Sequence, residues 1–257
     1  MSVKISAFST LKNEVAWVGY STMSILPYVD EVVWWDGGST DGTLELLEKL
    51  QKTEPEGWKI KVRRDVIFDR TPKGLTEDYD RIFNELLASL EGDWAIFWHA
   101  DCVLDNGNPR EAVERFDGIP EALCLNVRTE AFCTDESKLM EIHDWPIVFR
   151  RSNGLRHKGG YGSPEEDFYW DVGGREVRAG NPLITFDSGL RVHHYRNLKP
   201  YGTRLERLAK CLQATHTDWS WDFCLERARK HPWVDEAQLK PVPHAGKRPR
   251  VFELYSF

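Results

Sequence analysis

The sequence predicts an α/β fold: a doubly wound, mostly parallel mixed sheet with helices on both faces, followed by a C-terminal helical extension. Three observations predict it. Apolar, strand-forming runs alternate four times with helix-period segments over the first hundred residues. The polar clusters KNE, DGGSTD and HAD each fall where such a run ends. The remainder returns to strand-like runs before closing in helical segments.

The elements follow in order. VKISAF (3–8) alternates and is rich in strand formers, and after the polar STLKNE a helical spacing runs through Val15, Val18, Met23 and Leu26. DEVVWWD (30–36) reads as a buried strand, GGST as a turn, and Leu44, Leu47 and Leu50 mark the next helix. WKIKVRR (58–64) is a third strand, and Ile82, Leu86 and Leu90 place a helix from about 76 to 90. DWAIFWHAD then reads as a fourth buried strand running into His99 and Asp101. Beyond Asn106, ALCLNVRT (122–129) and PIVFRR (146–151) read as strands, GLRHKGGYGSPEED (154–167) as a Gly-rich loop and LITFDSGLRVHHY (183–195) as a hairpin. Helical segments are expected near 203–230, and the basic, Pro-rich LKPVPHAGKRPR has no periodicity.

In a doubly wound sheet, ligands bind at the carboxyl ends of the strands. The three polar clusters would therefore meet along one rim. A charge at the end of a buried strand costs free energy unless something pairs with it, so the HAD stretch implies either a structural partner or a bound cation.

Composition narrows the class. A chain of 257 residues that is 41% hydrophobic can build a real core, while a formal charge of -7 argues against a general nucleic-acid surface. The aromatic wealth, 11 Trp, 8 Tyr and 12 Phe, suits core packing first and platforms for sugar rings second. Five cysteines without a CxxC pair indicate neither a cysteine zinc site nor a disulfide framework, which fits a reducing cytoplasm. No apolar stretch reaches signal-peptide or membrane-span length.

Taken in order, TLKNE, WDGGSTDGT, EGDWAIFWHAD, PEEDFYWDVGGREVRAG and VHHYR resemble the ordered signature of the family 2 glycosyltransferases, which have the GT-A (Rossmann-like) fold. The resemblance spans about residues 3–197. It implies a GT-A domain over 1–200, with a nucleotide-sugar half to about 106 and an acceptor half from about 107 to 200. The helical extension and basic tail (201–257) would pack on the same domain.

The resemblance also assigns roles. Asp36 would hydrogen-bond the nucleobase, beside Gly37 where the family commonly has a second acidic residue; a turn-organising Asp is the competing reading. Lys12 and Glu14 would lie against the nucleotide. Asp101 would bind the Mn2+ or Mg2+ that bridges the donor phosphates, as the last carboxylate of a DxD-like motif whose first Asp is replaced by His99. His99 would be a further ligand or a ribose contact, and His194, before Tyr195, another metal ligand. His193 should face the opposite side of its strand. Glu166-Asp167 matches the ED motif, with Asp167 as the base of an inverting transfer; a helix opening at SPEED competes. Core packing competes with sugar stacking for Trp170 and Tyr161, and ion pairing with phosphate contact for Arg150, Arg151 and Arg175.

The expected activity is metal-dependent transfer of a sugar from a nucleotide diphosphate, a UDP-sugar favoured, to a glycan or other hydroxyl-bearing acceptor. A nucleotidyltransferase should carry a Gly-rich basic loop after the first strand, and STLKNE is not one. A catalytically inactive sugar- or nucleotide-binding relative is favoured by Gly37 and by the substituted HAD. Trp219, Trp221, Trp233 and KRPR could contact an extended acceptor; nucleic acid is disfavoured because the basic motif is short.

Overall fold

A computed structural model describes residues 2–64, 72–133, 135–151, 154–158, 169–172, 174–177, 185–216, 218–231, 234, 242–244 and 248–257. Strands β1 (Ile5–Leu11), β2 (Glu31–Asp36), β3 (Ile60–Arg64) and β4 (Trp94–Phe97) alternate with helices α1 (Val18–Ile25), α2 (Thr43–Thr53) and α3 (Pro72–Ser89). These four strands pair in parallel in the order β3-β2-β1-β4. β1, β2 and β4 are almost wholly buried because both faces are covered, whereas the edge strand β3 (IKVRR) turns its basic residues outward. β2 is buried along its whole length, and the acidic residue at its start, Glu31, is neutralised by Lys61 at 2.7 Å and accepts from Ser6 Oγ at 2.5 Å.

The sheet continues as β4-β7-β6-β11-β5. Here β5 (Cys102–Asn106), α4 (Pro109–Asp117), β6 (Cys124–Cys133), β7 (Asp135–Arg150) and β11 (Thr185–Asn197) make a mixed half, with only β6 and β11 parallel. A small second sheet joins β8 (Arg156–Lys158), β9 (Tyr169–Val172) and β10 (Arg175–Val177). It delivers Trp170 into a ring cluster with Phe8, Phe83, Phe97, Phe149 and His157, so this tryptophan is core and not a sugar platform.

Three expectations need correction. DWAIFWHAD is not one strand: β4 stops at Phe97, and His99 to Asp101 form a turn closed by Cys102 N–H donating to His99 O at 3.0 Å. LITFDSGLRVHHY is not a hairpin: residues 185–197 are one strand, with an irregularity between Asp187 and Arg191 where Gly189 takes φ +72°. The SG pair that reads as a turn is absorbed as a bulge. PIVFRR is only the end of a strand of 16 residues.

The C-terminal helices are α5 (Tyr201–Thr215) and α6 (Trp221–Arg229), which close their own small core around Leu208, Leu212, Cys224 and Ala228. Trp219 and Trp221 pack partly buried against it, and Trp233 lies outside the described residues. The tail adds β12 (Val242–Pro243) antiparallel to β7, and then α7 (Val251–Leu254), whose neighbour Phe257 and own Phe252 pack on Tyr20. Among the described residues no helix is long and apolar enough to cross a membrane, and Cys102, Cys124, Cys211 and Cys224 are buried.

Candidate functional site

The loops after β1 and β2 are tied to each other. Asn13, at φ 57°, donates its N–H to Ser39 Oγ at 2.9 Å and accepts from Thr40 N–H through Oδ1 at 2.9 Å. Glu14 N–H donates to Thr43 Oγ1 at 2.9 Å, and Val15 N–H to Asp41 Oδ2 at 3.1 Å. Asp41, the residue before the Gly42 N-cap of α2, also accepts from Thr43 N–H at 3.1 Å. Asp36 is buried and accepts from Gly38 N–H and Ser39 N–H, both at 3.0 Å, and from Ser39 Oγ. Its carboxylate therefore organises its own turn. Gly37 N–H extends the β1–β2 pairing by donating to Leu11 O at 2.8 Å, and it is Gly38 that needs a positive φ, +89°. Lys12 lies half-buried on the rim.

The HAD turn is fixed from both sides. Ser21 Oγ on α1 donates to His99 O at 2.9 Å, and Tyr195 N–H on β11 donates to Asp101 O at 2.9 Å. Because β11 pairs with β5 with His194 opposite Cys102, the His194 ring comes over the turn. His194 Nε2 lies 3.2 Å from Asp101 Oδ1, and the ligand atoms of His99, Asp101 and His194 all fall within 4.8 Å of one another. His99 stacks on Trp145 with centroids 4.9 Å apart, and its Nε2 is buried without a hydrogen-bond partner.

A residue that sequence reasoning missed completes the site. Lys199 Nζ sits 2.7 Å from Asp101 Oδ2 and 2.6 Å from Glu14 Oε1, and its side chain is 8% exposed. Arg207 on α5 reaches the same Glu14 oxygen at 3.4 Å, while Glu14 Oε2 is buried without a hydrogen-bond partner. One buried ammonium thus joins two carboxylates that the sequence places 87 residues apart, since Glu14 and Asp101 are both read from the chain directly. The only sequence signal for Lys199 is its position in NLKPY, five residues after His194.

The protonation states follow from these contacts. Burial would push Asp101 upward, but Lys199 and His194 outweigh it and hold its carboxyl well below the usual carboxylate range. Burial pushes Glu14 up, Lys199 offsets this in part, and the charge of Asp101 adds to the rise. Of the two carboxylates that share Lys199, Asp101 is thus the one shifted down and Glu14 the one shifted up. Burial, helped by His194, lowers His99 to about 3, and burial lowers His194 from its ordinary value while the neighbouring Asp101 opposes the shift.

The structure brings together Glu14, His99, Asp101 and His194; Asp36, Gly37 and Lys12 lie on the neighbouring rim. Glu166, Asp167 and Tyr161 lie outside the described residues. Asp105 lies on β5 and pairs with Arg191. Arg150 binds Asp117 at 3.1 Å and the carbonyls of Phe116, Asp117 and Ile119, Arg151 binds Gly92 O, and Arg175 is exposed on β10.

Comparisons with known proteins agree with this architecture. The pattern of glycosyl transferase family 2 matches residues 6–164, more than half of the chain. The solved mannosyltransferase PcManGT from Pyrobaculum calidifontis, in complex with GDP-Man and Mn2+, is 14% identical with a TM-score of 0.50, over 91% of this chain and 72% of that one. S. aureus TarS is 14% identical with a TM-score of 0.46, over 86% of this chain. Glucosyl-3-phosphoglycerate synthase from Mycobacterium tuberculosis, in complex with phosphoglyceric acid, is 21% identical with a TM-score of 0.34, over 49% of this chain. The chain spans 41% of the TarS chain and 44% of the synthase chain. No curated protein sequence matches it. With a family pattern over residues 6–164 and an α/β sheet shared with a structure of that kind, the chain belongs to glycosyl transferase family 2 and has a GT-A fold.

Proposed function

We propose that this chain is a metal-dependent glycosyltransferase that moves a sugar from a nucleotide-diphosphate donor, a UDP-sugar favoured, to an acceptor hydroxyl with inversion. The observation that carries the reading is a buried Asp101, its carboxyl held well below the usual range, with its ligand oxygen and the ligand nitrogens of two imidazoles within 4.8 Å of one another where the family's donor loop lies.

The residues present fit a divalent cation. His99 Nε2 has no other partner, Asp101 Oδ1 faces the histidines, and only Asp101 Oδ2 is taken by Lys199. Two imidazoles and one carboxylate suit Mn2+ better than Mg2+. His99, Asp101 and His194 would hold the ion, which when bound supplies charge stabilisation for the leaving diphosphate. Lys199 keeps Asp101 ionised and in place, so the carboxylate is ready before any ligand arrives. Asp36 and Gly37 supply the nucleobase edge of the rim, with Lys12 and Glu14 beside the nucleotide. Asp167, next to Glu166, accepts the proton of the attacking hydroxyl; this role rests on the ED match in the sequence. A local acidic base of this kind is what an inverting displacement requires.

The glycan acceptor is bound by the half of the sheet beyond residue 107, and residues 201–257 are proposed to belong to the same domain. A second reading, a nucleotide-binding relative without transfer, is favoured by one observation: Lys199 already neutralises Asp101. Calorimetry with UDP, GDP, CDP and dTDP, with Mn2+ and again with EDTA, decides between them when paired with a donor-sugar hydrolysis assay. GDP belongs in the panel because PcManGT is solved with GDP-Man and Mn2+. Binding of one nucleotide that needs both Mn2+ and Asp101, with turnover of its sugar, supports the transferase. Binding without turnover supports the second reading, and no binding at all ends both.

A further inference from the structure

The opposite face of the same strand carries a second convergence of ligand groups, which the transfer reaction does not use. His193 and Glu130 are register partners on β11 and β6, and Asp105 lies two residues along β5 from Val103, the other register partner of His193. Side chains two apart on a strand share a face. The tail brings a fourth group: His244, directly after β12, is held by its N–H donating to Ser137 O at 2.7 Å.

These groups approach without hydrogen-bonding. Glu130 Oε2 lies 3.5 Å from His193 Nε2 and 3.8 Å from His244 Nδ1, and Asp105 Oδ1 lies 3.8 Å from His193 Nε2. His193 is 2% exposed, and its Nε2 has no hydrogen-bond partner although it points into the cluster. Each carboxylate spends its other oxygen on an arginine, Glu130 Oε1 on Arg128 at 3.5 Å and Asp105 Oδ2 on Arg191. Phe132 walls the cluster, edge-on to both imidazoles with centroids 4.9 and 5.1 Å away.

The spacing identifies the occupant. Polar atoms 3.5–3.8 Å apart are too far for good hydrogen bonds. The ligand atoms of Glu130, His193 and His244 all lie within 4.8 Å of one another, and ligands bound at about 2.0–2.1 Å around a tetrahedral zinc ion are separated by roughly 3.3 Å, so no pair need draw together by more than about 1.5 Å. Two imidazoles with carboxylate oxygen are a zinc-type donor set, poor for Mg2+ or Ca2+.

We propose that Glu130, His193 and His244, with a solvent molecule in the fourth position and Asp105 at the edge beside His193, form a structural Zn2+ site that fastens the C-terminal segment to the sheet. The site lies apart from His99, Asp101 and His194 and does not rest on the transferase reading. Its consequence is mechanical. The segment it clamps continues into α7, where Phe252 packs on Tyr20, Trp17 and Tyr195. Trp17 in turn stacks on Tyr195 with centroids 4.4 Å apart, three residues after Glu14. Zinc at this site holds the cover of β11 and α1 in place.

The test is Zn2+ uptake by metal-stripped full-length protein, titrated against a chromogenic chelator, on wild type, Asp101→Ala, His244→Ala and His244→Cys. Asp101→Ala should retain one tightly bound equivalent. His244→Ala should bind one equivalent fewer than wild type, and His244→Cys, which restores a zinc ligand, should recover it. Zn2+ should also raise Tm and slow proteolysis of the tail in wild type and not in His244→Ala, whose metal-free Tm controls for folding. A Co2+-loaded sample should show the intense visible bands of four-coordinate geometry. Equal Zn2+ uptake by wild type and a folded His244→Ala, or no tight equivalent in Asp101→Ala, overturns the site. If the donor-site reading fails instead, Asp101→Ala matches wild type in Zn2+ uptake while His244→Ala still loses its equivalent.

Discussion

Two aspartates stand at the carboxyl-terminal rim of the parallel strands, and they are satisfied in opposite ways. Asp36 spends its oxygens on its own turn, on groups two and three residues away. Asp101 is satisfied by His194 and Lys199, more than ninety residues along the chain. The first arrangement forms with the local turn and is indifferent to the rest of the fold. The second exists only when β11 and the segment after it have docked, so the charged site is coupled to the packing of the C-terminal half.

The sharpest way to break that comparison is Asp101→Ala. It should abolish Mn2+-dependent nucleotide binding and lower transfer by about 10³-fold, the loss of several kcal/mol of charge stabilisation. It should also destabilise the fold by about 3–5 kcal/mol, because Lys199 is left buried facing only Glu14. Activity with Mn2+ and urea unfolding measure the two effects; a fold as stable as wild type would show that Asp101 is not tied to distant elements. Next is Lys199→Met, which leaves two buried carboxylates without their shared cation. A loss of about 3 kcal/mol is expected, partly recovered by adding Glu14→Gln, with a coupling of at least about 1 kcal/mol in the double-mutant cycle. Strict additivity would contradict a shared site.

A smaller effect is the pH dependence of the metal-free protein. His99 titrates at about 3 when folded, below the ordinary histidine value of 6.5, so the folded state binds fewer protons between those values. Stability should rise with pH across that window, be complete above 6.5, and be lost as pH falls toward 3. Asp101, with its depressed carboxyl, adds a loss below the ordinary carboxylate range. His99→Gln should flatten the slope between 3 and 6.5, read as Tm against pH; an unchanged slope would mean that the histidine is solvated. The smallest effect belongs to the local aspartate. Ser39→Ala should cost about 1 kcal/mol, one hydrogen bond to Asp36 and one from Asn13, and leave Mn2+ affinity unchanged.

The same contrast explains what the sequence could tell. The alternation of β1 to β4 with three helices is legible because each element is set by local periodicity, and the sites of Asp36 and Asp41 follow from turn chemistry. The convergence of His99, Asp101 and His194 follows from the order and spacing of the motifs that the sequence shares with the family. Lys199 was not, since a lysine in NLKPY carries no local sign that its ammonium will be buried between two carboxylates. The hairpin expectation for 183–195 failed for the related reason that SG signals a turn only if its flanks pair with each other, and here they pair with β6 and β5 instead. Length was misjudged for β7 because HDWP carries turn residues that the sheet tolerates in its irregular pairing with β6.

The irregularity between Asp187 and Arg191 also sets a phase. Strand side chains alternate, so the residues inserted there decide which of two adjacent histidines meets Asp101 and which meets Glu130. Deleting a single residue from this bulge would exchange the two rings while leaving every side chain in the sequence intact. In evolutionary terms the segment should accept changes of letter far more readily than changes of count, and an insertion of two should be milder than an insertion of one.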